Sequence, residues 1–178
     1  MNASPPPHGS LRQRARVPYP SWRWIWGGLY RFAAFGFGSG LLRPMSGTWG
    51  TALAWLIWAA LPPGANPWIV GLLLAIAFAY GCWACDRTGK ELQVEDHMGI
   101  VWDEMVAFWL VLWLSPPEWQ AQLAAFVLFR AFDIVKPQPI KFFDARLKGG
   151  FGVMWDDIVA AIYALLVMAL AVRFGAFV

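Results

Sequence analysis

Residues 153–172 read V-M-W-D-D-I-V-A-A-I-Y-A-L-L-V-M-A-L-A-V. A run of this length matches the roughly 20 residues that a helix needs to cross the hydrocarbon core of a bilayer. It shows no sustained alternation of apolar and polar residues, which argues against a barrel strand. Only helices and closed barrels span a bilayer, because backbone groups there have no water to bond. The run therefore predicts a membrane helix, and the Asp156-Asp157 pair near its start needs a reason.

Working backward, Pro67 to Cys85 is of comparable length. Trp119 to Val135 ends at Pro137, while Thr48 to Leu61 and Ile100 to Leu114 are short for a full crossing. The short ones either gain length from semi-polar flanks or are re-entrant. Trp22 to Phe37 interleaves aromatics with Arg23 and Arg31, the composition of an interfacial helix. A flexible loop is expected at Gly36–Gly40. Residues 1–20 hold five prolines between Pro5 and Pro20 and no apolar core, so they read as a disordered tail and not a cleavable signal. The expected fold class is all-α: a polytopic membrane helical bundle of about four or five transmembrane or re-entrant helices, with an N-terminal interfacial helix, forming one domain over residues 21–178.

Composition agrees. Of 178 residues, 59% are hydrophobic and 14% charged, where soluble domains carry about 25% charged. The 13 Trp and 13 Phe cluster near the ends of apolar runs, where a bilayer interface selects them. A net charge of +3 is too small and scattered for a nucleic-acid partner and suits an anionic membrane surface. Cys82 and Cys85 form C-x-x-C inside an apolar run without a βαβ context, so they read as small core fillers.

If all five stretches cross, Arg12, Arg14, Arg16, Arg23, Arg31, Arg43, Arg87, Lys90, Lys136, Lys141, Arg146 and Lys148 share one side, and Arg173 stands on the other. The positive-inside rule makes the rich side cytoplasmic. Acidic residues contribute little to that rule, yet Asp86, Glu91, Glu95, Asp96, Asp103, Glu104, Asp133, Asp144, Asp156 and Asp157 gather on the same face, with Glu118 opposite. A cation site accounts for the gathering.

Three blocks carry the chemistry. In D-H-M-G-I-V-W-D-E, 96–104, a helix reaching back to Asp96 would align Asp96 with Asp103 and His97 with Glu104. The plain alternative is a salt bridge from this acidic pair to Lys90 or Arg87. In F-R-A-F-D-I-V-K-P-Q-P-I, 129–140, Arg130 and Asp133 face the same way; such a pair is either structural or one phosphate-binding cation beside one metal-binding carboxylate. In G-G-F-G-V-M-W-D-D, 149–157, glycines lead into a helix whose N-terminus favours anions. The helix dipole is the plain explanation of the Asp pair there, and a divalent ion the stronger one. An all-oxygen donor set selects Mg2+, with manganese as a substitute; zinc would want more His or Cys.

These blocks in order, with G-F-G-S-G-L-L-R-P-M-S-G-T-W-G-T at 36–51, resemble the phosphatidylglycerophosphatase A family. Ser46-Gly47-Thr48 departs from the Pro-Gly-Thr often seen there. The resemblance implies an Mg2+-dependent phosphatase domain in the bacterial inner membrane, with its active site on the cytoplasmic face, converting phosphatidylglycerophosphate to phosphatidylglycerol. By motif position it implies catalytic roles for His97, Asp103 and Glu104. Arg130, Lys136 and Lys90 would bind substrate. Asp96, Asp103, Glu104, Asp133, Asp156 and Asp157 form the metal-ligand pool. Water and carboxylate nucleophiles stay equally open, as does oligomeric state. The alternatives are a phosphatase of another phospho-lipid and a non-enzymatic divalent-cation transporter. A reporter fused after Val178 is expected to read outside the cytoplasm; a cytoplasmic signal would make one stretch re-entrant.

Overall fold

The computed structural model describes residues 18–62, 64–94, 96–138, 147 and 149–177, and among these every regular element is a helix. They are α1 (Trp22–Trp26), α2 (Leu29–Ala34), a 3-10 segment (Gly36–Leu41), α3 (Ser46–Ala59), α4 (Pro67–Leu92), α5 (Trp102–Leu114), α6 (Trp119–Val135) and α7 (Gly149–Arg173). Residues 1–17, most of the expected tail, lie outside the described residues, as do Glu95, Lys141, Asp144, Arg146 and Lys148.

Each of the five apolar stretches becomes a helix, α3 to α7 in order, and several edges differ from expectation; the second, α4, runs on to Leu92, past the expected end at Cys85. The single interfacial helix is two short ones. Ser21 caps α1 by accepting from the Trp24 amide, and the chain breaks at Gly27-Gly28, where Gly28 is extended. The expected flexible loop at Gly36–Gly40 is a buried 3-10 segment. Its tightness comes from the Gly38 and Gly40 amides, which both donate to the Phe35 carbonyl at 3.0 Å, and from Ser39 Oγ donating to the Gly36 carbonyl at 2.7 Å.

The third helix does not reach back to Asp96. It begins at Trp102 because the Val101 amide is taken by the Ala34 carbonyl at 2.9 Å, and the Ile100 amide closes a turn onto His97. Asp96 and His97 therefore sit in a loop, without the helical register that would pair them with Asp103 and Glu104. The fifth helix starts earlier than expected, so Gly149, Gly150 and Gly152 lie inside it and its first turn holds no acid. Asp156 and Asp157 stand about two turns in. The dipole acts within the first turn, so it does not account for that pair.

Two helices, Pro67–Leu92 and Gly149–Arg173, are long and apolar enough to cross a membrane. Asn66 caps α4, and Pro67 at its first position supplies a preset φ. The outer face of α4 exposes Trp68, Ile69, Leu72, Leu73 and Ile76. By contrast, α7 packs against α4, α5 and α6. Its Ala160, Ala161 and Ala164 are buried, the small side chains that let helices approach closely in an apolar medium. Phe108 and Phe129 stack at 5.7 Å between α5 and α6. Buried indoles find acceptors on neighbouring backbones: Trp102 donates to Ala77 at 3.0 Å and Trp109 to Ala54 at 2.8 Å.

The closest approach is between α7 and α4, where a Cβ on Gly150 would strike the Cys82 carbonyl and would lie 2.8 Å from the Asp86 amide. Backbone cannot yield as a side chain can. Gly150→Val is expected to destabilise the bundle by roughly 1–3 kcal/mol or more, read as a lower unfolding temperature in detergent. An unchanged midpoint would mean that α4 and α7 are not in this contact.

Candidate active site

One end of the bundle collects the N-termini of α3, α5 and α7 with the C-termini of α4 and α6. Asp103, Asp133, Asp156 and Asp157 are buried there, each with at most 9% of its surface exposed, and the Glu104 side chain is 15% exposed. Ionised groups at such depth are costly and usually paired or functional.

Arg130 holds the centre. Its Nη1 lies 2.8 Å from Asp133 Oδ2, one helical turn along α6, and 3.1 Å from Glu104 Oε1 on α5. The same nitrogen donates to Thr51 Oγ1 at 3.4 Å, joining α3 to the network. Thr51 in turn donates to the Gly47 carbonyl at 2.9 Å. A Cβ on Gly47 would overlap the Glu104 carboxylate, so the glycine is what lets α3 close over this site. Lys136, in a left-handed conformation just past α6, reaches Asp156 Oδ2 at 3.4 Å.

The remaining acids share one electrostatic neighbourhood. Asp157 interacts with Asp133, Asp103, Glu104 and Lys136; Asp103 interacts with Glu104, Asp96 and Asp133. The plain alternative, a salt bridge from the Asp103-Glu104 pair to Lys90 or Arg87, is not seen among the described residues; Glu104 pairs with Arg130 instead. Lys90 bonds to Asp86 at 2.6 Å and, with Gly149 and Gln93, lines a cavity of about 160 Å³. Arg87 stands 3.9 Å from Glu91, which also accepts from Arg31 at 2.7 Å.

Half-buried Asp96 and fully buried His97 occupy the loop before α5. His97 Nδ1 accepts from the Gly99 amide at 2.9 Å, which puts the proton of the neutral ring on Nε2. Phe35 and Tyr19 wall the imidazole, with ring centroids 5.7 and 5.0 Å away. Ser46 donates its hydroxyl to the Met98 carbonyl and so ties α3 to this loop.

Among the described residues no three His, Cys, Asp or Glu side chains form a ready chelating group. The donor chemistry nevertheless fits magnesium, which takes one or two carboxylates with waters and substrate phosphate and needs no all-protein cage. Asp103 Oδ1 and Glu104 Oε2 are buried without a hydrogen-bond partner among the described residues, and every cluster ligand is oxygen. A phosphate dianion would also be repelled by carboxylates outnumbering Arg130 and Lys136, unless a cation stood between.

Two participants escaped the sequence reading. Thr51 lies within the quoted 36–51 block, at helical spacing from Gly47, and that spacing was the available signal. Thr88 on α4 is fully buried, with a hydroxyl that lacks a partner among the described residues. It stands one turn beyond buried Cys85.

The phosphatidylglycerophosphatase A family model matches residues 32–172. The chain belongs to that family. It is 46% identical over 136 residues to phosphatidylglycerophosphatase A of Haemophilus influenzae, covering 76% of this chain and 83% of the relative. It is 39% identical over 135 residues to phosphatidylglycerophosphatase A of Escherichia coli, covering 75% and 77%. A Bacteroides thetaiotaomicron protein provisionally named a phosphatidylinositol-3-phosphatase is 39% identical over 144 residues, covering 76% and 89%. No solved structure matches the chain at comparable significance.

Removing one partner of a buried ion network strands the others, at roughly 3–5 kcal/mol. Arg130→Ala is therefore expected to lower the unfolding temperature sharply, and Glu104→Gln in the same chain to recover part of the loss. Thermal unfolding of the two single variants and the double variant in detergent checks this. Additive effects would mean that Arg130 and Glu104 are not paired.

Proposed function

We propose that this chain is a magnesium-dependent lipid phosphatase that hydrolyses phosphatidylglycerophosphate to phosphatidylglycerol and phosphate, at the cytoplasmic end of a bundle in the bacterial inner membrane. The observation that carries this reading is the buried Arg130–Glu104–Asp133 network inside the region shared with the named phosphatases. The placement follows from the lysines and arginines gathered at the same end. In the proposed arrangement the whole segment 21–178 is one membrane domain. Helices α3, α5 and α6, at 14, 13 and 17 residues, stand beside the two longer crossings as partial spans or as short spans across a locally thinned bilayer.

Asp103, Glu104, Asp133, Asp156 and Asp157, with Asp96 at the rim, would hold the metal. Bound magnesium supplies Lewis acidity toward the phosphate oxygens. The chain's own groups do the rest. Arg130 presents a guanidinium to the phosphate from a fixed position. Lys136 adds a second cation beside Asp156. Glu104, through the oxygen not engaged by Arg130, takes the proton of the attacking water. The neutral His97 ring donates a hydrogen bond from Nε2 to the departing glycerol oxygen, which takes its proton from solvent. Lys90, outside the Arg130 cluster, would contact the headgroup from the cavity that it lines. Family membership leaves the cation-transport reading without support.

The Bacteroides relative favours one second reading, a phosphatase of another phosphorylated lipid headgroup such as phosphatidylinositol 3-phosphate. Purified protein in detergent is expected to release phosphate from phosphatidylglycerophosphate with magnesium, to stop with a chelator, and to act far more slowly on phosphatidylinositol 3-phosphate. Reversed preference would select the second reading. Release that persists in chelator would remove the metal.

A further inference from the structure

Tyr19 precedes residue 32, where the family match begins, yet it touches the loop that carries His97. Its ring meets the imidazole of His97 edge-on, at 5.0 Å and 74°. Its hydroxyl lies 3.5 Å from Ser46 Oγ, the hydroxyl that ties α3 to the Met98 carbonyl. The Arg43 guanidinium covers its outer side at 3.8 Å. With Phe35 on another side and the Gly99 amide on Nδ1, the fully buried imidazole is held by contacts that leave it little room to tilt.

We infer that Tyr19 is a positioning residue: the N-terminal segment acts as a strap that fixes the His97 ring and its Nε2 proton toward the reacting group. The strap lies outside residues 32–172, the region matched by the family model. The inference rests on the proposed role of His97 as hydrogen-bond donor to the departing oxygen. An edge-to-face aromatic contact of this kind is worth a few-fold in an equilibrium. Loss of the ring therefore lowers the fraction of enzyme with His97 aligned and leaves phosphate binding through Arg130 and Lys136 in place.

The test measures kcat and KM for phosphate release by the full chain and by Tyr19→Ala, Tyr19→Phe, His97→Gln and the Tyr19→Ala/His97→Gln double variant. Gel filtration confirms folding, and Tyr19→Leu replaces Tyr19→Ala if the latter aggregates. Tyr19→Ala is expected to lose roughly three- to tenfold in kcat with KM nearly unchanged. Tyr19→Phe should retain most activity, and Tyr19→Ala should have no further effect once His97 is glutamine. If His97→Gln is slow but Tyr19→Ala is fully active, or costs the same factor in both backgrounds, the strap is not acting through His97 and the inference falls. If His97→Gln is itself fully active, the hydrogen-bond-donor reading fails first and the inference falls with it.

Discussion

A single guanidinium nitrogen, Arg130 Nη1, stands between Glu104 and Asp133 in a pocket where its own side chain is 11% exposed. Much of this end of the bundle can be understood as the means of keeping that cation there. An arginine at such depth is tolerated only with its charge matched; the contacts here are made by one nitrogen, while Nε has no hydrogen-bond partner among the described residues. Asp133 matches it from one turn away on α6, Glu104 from α5, and Thr51 adds a neutral acceptor from α3. The approach of α3 depends in turn on Gly47 having no side chain to meet Glu104.

The longer helices set the depth of this network. Close contact of α7 with α4 at Gly150 brings Asp156 and Asp157 to the level of Asp103 and Asp133, two turns below the helix start. That depth separates them from ordinary N-terminal acids and leaves like charges facing one another. A stability optimum would avoid such an arrangement. Its persistence is what a site built to bind cations and phosphate would show, with stability given up for chemistry. The aromatic shell of α1, α2 and the 3-10 segment then closes over the loop that carries His97.

Much of this was legible from residues alone, because apolar length and intramembrane acids are strong signals. The stretch from Trp119 to Val135 coincides with α6, and the three-residue spacing of Arg130 and Asp133 correctly put them on one face. Helix edges were less legible. The Val101 amide that starts α5 bonds to Ala34, a contact between segments far apart in sequence. The glycines ahead of Asp156 read as standing before the helix because glycine is a weak helix former, but they lie inside it, where Gly150 packs against the Cys82 carbonyl. Tyr19 sat in a proline-rich stretch with no periodic pattern, and its contact with His97 exists only in three dimensions.

The central claim is that the buried acids are kept for chemistry and not for the fold. Paired measurements of turnover and unfolding temperature on Asp157→Asn test it most directly. This nearly isosteric change removes one charge from a neighbourhood of like charges. The account predicts loss of turnover with an unfolding temperature equal to or above that of the unaltered protein. Retained turnover with a lower unfolding temperature would make Asp157 a structural residue and contradict the account.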